Sequence, residues 1–275
     1  MRLAPPLLVT MLFAISLVLL GIAEGALDPA TITSQIFFYY NYFSLHGGGD
    51  SSVDGLSVLW SLAVEEHFYL LYPWLFLLLA ANRIGLRSIG LILLALLLWR
   101  MVRFYVFGQP EWPIYISTDT RIDGILYGCF LALMIAKGQA RRWMPDKALY
   151  PLIFGGIVLL LVTFAIRDDA FRSTIRYSIQ GIALIPISYF ATQRSELWLF
   201  RPLNWTPVRR VGQYSYTFYL VHSVIIKALE YNGVLTGNAL MFTLVAGVLC
   251  LIYSALVFEF VEKPFKPLRQ RLTGH

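Results

Sequence analysis

The stretch WSLAVEEHFYLLYP, residues 60–73, reads as the start of a membrane helix, yet it sets Glu65, Glu66 and His67 side by side. A charged side chain at the centre of such a helix costs about 2.5–3.5 kcal/mol even on lenient insertion scales. Ionisable residues in these helices usually face a bundle interior or a wet cavity and find partners there. The stretch therefore raises two linked questions: whether the chain lives in a bilayer, and what its two glutamates do there.

Composition answers the first. Of 275 residues, 58% are hydrophobic and only 14% are charged. The mean hydropathy is +0.66. A soluble domain carries about 25% charged residues, so this chain lacks the polar surface to cover itself in water. A net charge of +6 would also suit a nucleic-acid binder, but the placement of the cations argues for membrane topology and against nucleic acid. Cys129 and Cys250 both sit in apolar runs and read as packing residues. No internal repeat, low-complexity segment or linker divides the chain.

Apolar runs of about 17–25 residues mark membrane helices. Eight are predicted, at 4–23, 58–81, 86–107, 121–137, 149–166, 173–192, 212–230 and 238–261. The aromatic segment 31–45 is too short and is read as an interfacial or re-entrant piece. The loops alternate in charge. Arg83 and Arg87 lie in one; Lys137, Arg141, Arg142 and Lys147 in the next; Arg194, Arg201, Arg209 and Arg210 in a third. The tail adds Lys263, Lys266, Arg269 and Arg271. The opposite loops hold only Arg167 and Arg172. Positive residues stay on the cytoplasmic side, which puts both termini inside and the 24–57 loop outside. A signal peptide is the rival reading of residues 1–26. The apolar stretch is long for one, and Pro5-Pro6 stands where a helix begins.

Arg100, Arg103, Arg121, Arg176 and Lys227 then all fall in the outer half of their helices, at the depth of Glu65 and Glu66. Snorkelling to the outer headgroups explains Arg121, Arg176 and Lys227 as well as a site does. Arg100, Arg103 and Glu65 lie deeper. Ser61 and Glu65 are four residues apart on one helix face, with Tyr69 and Tyr72 continuing broadly along it. A polar stripe bordered by aromatics suits a sugar-binding groove, and it equally suits a transporter cavity.

These residues also resemble a known family. LWSLAVEEHFYLLYP (59–73) resembles the Trp-Ser-Leu-x-Val-Glu-Glu-Gln-Phe-Tyr signature of the acyltransferase-3 family of integral-membrane acyltransferases, with His67 in place of the habitual Gln. TDTRIDGILYGCFLAL resembles its Thr-x-x-Arg-x-Asp helix at Thr118, Arg121, Asp123 and Gly128. GQYSYTFYLVHSVII resembles its Ser-Tyr-x-x-Tyr-Leu-x-His segment at Ser215, Tyr216, Tyr219, Leu220 and His222, and FEFVEKPFKPL its Glu-Lys-Pro-Phe at Glu262–Phe265. The order of the four matches makes the resemblance specific.

The resemblance implies transfer of an acyl group, most often acetyl, from cytoplasmic acyl-CoA to a hydroxyl of an extracytoplasmic glycan or glycolipid. Surface polysaccharide, lipopolysaccharide and peptidoglycan are typical acceptors. It implies a multi-pass protein of the bacterial inner membrane. Such proteins usually begin with two more helices, which carry a catalytic histidine and an Arg-x-x-Arg run. Arg2 and Pro5 look like the end of that run, so residues 1–268 are expected to be a partial acyltransferase domain, followed by a short basic tail at 269–275.

Acyl transfer to oxygen needs a base for the hydroxyl proton and donors for the developing oxyanion. The candidate catalytic residues are Glu65 and His222. The candidate acceptor-binding residues are Ser61, Glu66, Tyr69, Arg100, Arg103, Arg121 and Asp123, with Arg100, Arg103 or Arg121 as the expected charge partners of Glu65. The acyl-CoA co-substrate is assigned to Arg2, Arg141 and Arg142 on the inner face, with no tightly bound cofactor expected. His67 is expected to form a hydrogen bond between helices. His46, in HGGGD, reads as part of a flexible loop, since no Gly-x-Ser-x-Gly accompanies it. No metal-ligand spacing occurs. The expectation is an all-α membrane bundle that O-acylates a glycan. The alternatives are an inactive fragment of such an enzyme, or a transporter.

Overall fold

The aromatic and apolar runs fold as helices because a backbone in hydrocarbon must satisfy its polar groups within its own segment. A computed structural model describes residues 3–48, 53–234 and 237–265. Eight α-helices of 14 or more residues appear there. They are α1 (Ala4–Leu19), α2 (Leu59–Ala80), α3 (Leu86–Met101), α4 (Asp123–Ala136), α5 (Leu149–Ala165), α6 (Arg176–Gln193), α7 (Thr206–Tyr231) and α8 (Ala239–Val257). The described residues contain no strand, only an isolated bridge between Gly25 and Val53.

Among the described residues four helical segments are long and apolar enough to cross a membrane: Leu56–Ala80, Leu86–Val106, Asp146–Ala165 and Ala239–Phe265. Large apolar side chains such as Leu70, Trp74, Leu91, Phe154 and Phe164 stand exposed on these helices, as a lipid-facing surface requires.

Each predicted run holds a helix, but the ends differ. The run at 4–23 stops at Leu19. The run at 121–137 is broken at Ile122, so Thr118–Arg121 forms a separate turn ahead of α4. The run at 173–192 is preceded by a short helix, Asp169–Ser173, capped by the Asp168 side chain. α7 starts six residues early, at Thr206 with Pro207 in its first turn. Arg209 and Arg210 are therefore helical and not in a loop. Residues 31–45 become two short helices, Pro29–Ile36 and Tyr40–Leu45. Asp28 caps the first, accepting from the Thr31 amide at 2.8 Å and its hydroxyl at 2.6 Å.

The chain folds as two compact units, residues 1–60 with 202–275, and residues 61–201. Both boundaries fall inside helical stretches, Trp60/Ser61 in α2 and Arg201/Pro202 in a short 3-10 turn. No change of composition marks them.

In the first unit α7 packs against α1 and α8. Val221 and Ile225 of α7 are buried with Cys250 of α8. Gly55 adopts φ +90° beside the α7 backbone at Val224, where any Cβ would collide. The Tyr216 hydroxyl donates to the Leu3 carbonyl at 2.9 Å, and the Asn232 amide to the Ile22 carbonyl at 2.7 Å.

In the second unit α4 packs against α3 and α6, and α6 against α5. Gly156 of α5 lies so close to the Ala183 carbonyl of α6 that a Cβ there would overlap it. Small residues at such crossings let membrane helices approach. Two buried clusters fill this unit. Phe68, Ile89, Leu93, Leu126 and Tyr127 form one. Met134, Met144, Ile153, Tyr189 and Phe190 belong to the other.

Candidate functional site

The second unit carries most of the predicted site residues, and it meets several of their charges internally. Arg100, in the last turn of α3, is wholly buried. Its Nη1 donates to Asp123 at 2.6 Å and to the Thr120 carbonyl at 2.9 Å, and its Nη2 to the Ser178 hydroxyl at 2.5 Å. One guanidinium thus ties α3 to α4 and α6. Arg103 follows in a single π-helical turn, Val102–Val106. Such turns rotate the side chains that follow relative to a continuing α-helix. Its Nη1 sits 3.0 Å from both Asp119 oxygens, and its Nε donates to Gln109 at 2.5 Å. The Trp99 indole donates to the same Asp119 at 2.6 Å.

Arg121 finds aromatic faces. Its guanidinium lies 3.8 Å from the Tyr177 ring centroid and 5.2 Å from that of Tyr115. Arg172 and Arg176 share Glu111 at 3.1 and 3.6 Å. Asp119, Glu111, Gln109, Tyr177 and Ser178 were missed by sequence reasoning. In a chain with 16 Tyr and 19 Phe, one more tyrosine carries no signal. The two acids could have been found by asking what neutralises the outer arginines.

The expected partnership of Glu65 with Arg100, Arg103 or Arg121 does not form. Helix rotation gives the reason. His67 Nδ1 shares a 2.7 Å hydrogen bond with the Thr118 hydroxyl, so this face of α2 meets the segment that carries Asp119 and Arg121. At 3.6 residues per turn, Glu65 points about 200° round from His67. The cations are taken by Asp119, Asp123 and the tyrosine rings. Glu65 and Glu66 are half-buried, and neither has an ion pair among the described residues. Ser61 is also half-buried, whereas Tyr69 is 50% exposed.

The first unit carries His222, half-buried on α7. Its Nδ1 lies 2.5 Å from the Tyr219 carbonyl. A carbonyl only accepts, so Nδ1 donates this bond and Nε2 is the ring nitrogen not engaged in it. The Tyr219 hydroxyl donates to the Val58 carbonyl at 3.2 Å, and Thr217 to Glu262 at 2.9 Å. The resemblance segments around Tyr219 and Glu262 are thus fixed within this unit.

At the other end of α3, α4, α5 and α6, Arg83, Arg87, Lys137 and Arg142 help line a cavity of about 1280 Å³. Arg141 turns away to Asp146, at 3.4 Å, which also takes Arg194 at 2.7 Å. Arg2 lies outside the described residues, as do Lys266, Arg269, Arg271 and His275. Among the described residues no three His, Cys, Asp or Glu side chains gather as metal ligands would.

The family described as Acyltransferase domain matches residues 1–259. The chain is 31% identical over 245 residues to the peptidoglycan O-acetyltransferase OatA of Listeria monocytogenes, covering 84% of this chain and 38% of that protein. It is 27% identical over 241 residues to the O-acetyltransferase OatA of Staphylococcus aureus, covering 85% and 38%. The chain thus spans under two-fifths of the length of these relatives. No solved structure matches it.

Proposed function

The chain belongs to the acyltransferase-3 family, and from that premise we propose that it transfers an acetyl group to a hydroxyl of an extracytoplasmic glycan. The observation that carries this reading is the Glu65–Glu66 pair. Two half-buried carboxylates lie on a membrane-length helix with no ion pair among the described residues, while nearby arginines are paired elsewhere. Intramembrane carboxylates not used structurally mark substrate paths. We assign Glu65 to the acceptor hydroxyl, with Ser61 and Glu66 beside it on α2.

The reaction balances simply. The hydroxyl oxygen attacks the thioester carbonyl and its proton passes to a base. The C–O bond forms, the C–S bond breaks, and the thiolate leaves and is protonated. His222, with Nε2 free to accept a proton, is the second group we assign to the chemistry. Arg100 and Asp123 we assign to holding the helices that flank the site, because their charges are spent on each other. Arg103, Arg121 and Tyr69 remain proposed acceptor contacts.

Peptidoglycan, the acceptor named for the Listeria relative, is the first acceptor to test; lipopolysaccharide and other surface glycans follow from the same chemistry. Acyl-CoA is the proposed donor, drawn to the basic end through Arg141 and Arg142, with Arg2 assigned alongside them. By the positive-inside rule that end faces the cytoplasm, both termini with it, in a multi-pass inner-membrane protein.

Expression of the full chain in a host lacking glycan O-acetylation tests the reading. Base-labile acetate should appear on the glycan. Membrane-inserted chain with no acetate gained would reject it in favour of an inactive fragment.

A further inference from the structure

The cavity at the basic end of the second unit has a built shape. Residues of α3, α4, α5 and α6 line it. Arg83, Arg87, Lys137 and Arg142 stand at its mouth, no acidic residue lines it, and none of the four has a carboxylate partner among the described residues. Behind them the lining turns apolar. It runs from Gly90 and Phe130 past Gly155 to Leu159 and Ile182. Leu159 lies ten residues beyond the start of α5, a depth of about 15 Å along the helix. That is about half of the roughly 30 Å hydrocarbon core, the reach of one leaflet's acyl chains.

We propose that this cavity holds an anionic phospholipid of the leaflet on its side, with the phosphate on Arg83, Arg87 and Lys137 and an acyl chain in the slot. Basic pockets between membrane helices suit such headgroups. A zwitterionic headgroup would bring its own cation among four others. A coenzyme A molecule would satisfy the mouth but not the slot. The amides of its pantetheine arm would lose water against Phe130, Leu152 and Leu159, whose side chains offer no hydrogen bond, and unpaired buried amides are costly. A hydrocarbon chain has no such penalty. The site is separate from the proposed acceptor chemistry and stands or falls independently of it.

The full chain in phosphatidylcholine nanodiscs carrying a phosphatidylglycerol probe with a photoreactive acyl chain tests this. Irradiation should label α5 and α6 near Gly155, Leu159 and Ile182. The paired substitutions Arg83→Gln and Lys137→Gln should weaken labelling about thirtyfold, at roughly a factor of five or six per cation. Gly155→Leu should block it with the cations intact, because a Cβ there meets no atom within 4 Å and the rest of the leucine side chain would occupy the slot. Equal labelling by a phosphatidylcholine probe would overturn the proposal. So would labelling that maps elsewhere, or that neither variant reduces. Displacement of the probe by coenzyme A would give the cavity to the donor instead.

Discussion

The Arg100 guanidinium and the Asp123 carboxylate meet at 2.6 Å, with side chains 0% and 2% exposed. Such a pair is weak evidence of net stabilisation, because two desolvated charges consume most of what their attraction returns. Breaking it is another matter. Asp123→Asn leaves Arg100 charged and closed from water, and should cost about 3–5 kcal/mol. Replacing both residues by Leu should recover much of that loss. Thermal unfolding of the detergent-solubilised protein measures the difference.

The α5–α6 crossing depends on Gly156. A methyl there meets the Ala183 carbonyl and the Ile187 side chain. Gly156→Ala should destabilise by about 1–3 kcal/mol, the usual range for overpacking. Gly155→Ala, one residue earlier and open, should stay near neutral. The same melting experiment compares the two.

Asp146 takes Arg194 at 2.7 Å and Arg141 at 3.4 Å at the start of the Asp146–Ala165 segment. Asp146→Asn removes both ion pairs and should speed amide exchange at 194–200. The pairs are partly exposed, so the effect should be local and reduced by salt.

The fold was largely legible in the sequence, because length and apolarity alone place a helix in lipid. Charge alternation also foretold that Arg83, Arg87, Lys137 and Arg142 share one end of the second unit. Helix rotation was not legible. Whether Glu65 or His67 meets the Thr118 segment depends on packing around α2, and apolar residues all round a membrane helix erase the amphipathic signal that would show it. The early start of α7 did have a signal, the Pro207 that suits a first helical turn. It was outweighed by the cations that follow it. The role of Asp119 was hidden because Arg103 sits in the π-helical turn after α3, which shifts its direction from that of a plain helix.

His222 offers a test of its own nitrogen. Asn in its place can keep the donor to the Tyr219 carbonyl but supplies no basic Nε2. If His222 takes the hydroxyl proton, His222→Asn should lower turnover about 10²–10⁴-fold, the span of general-base contributions. Protein level and melting temperature should stay near wild type. A variant that loses stability and activity together would assign His222 to structure.

The central claim rests on Glu65, and one measurement bears on it directly. Full-length protein in proteoliposomes, given radiolabelled acetyl-CoA on one face and peptidoglycan fragments on the other, should form base-labile acetyl esters on the fragments. Glu65→Gln preserves shape and removes the carboxylate. It should abolish ester formation while the protein remains folded in the bilayer. Ester formation by Glu65→Gln at the wild-type rate would contradict the account.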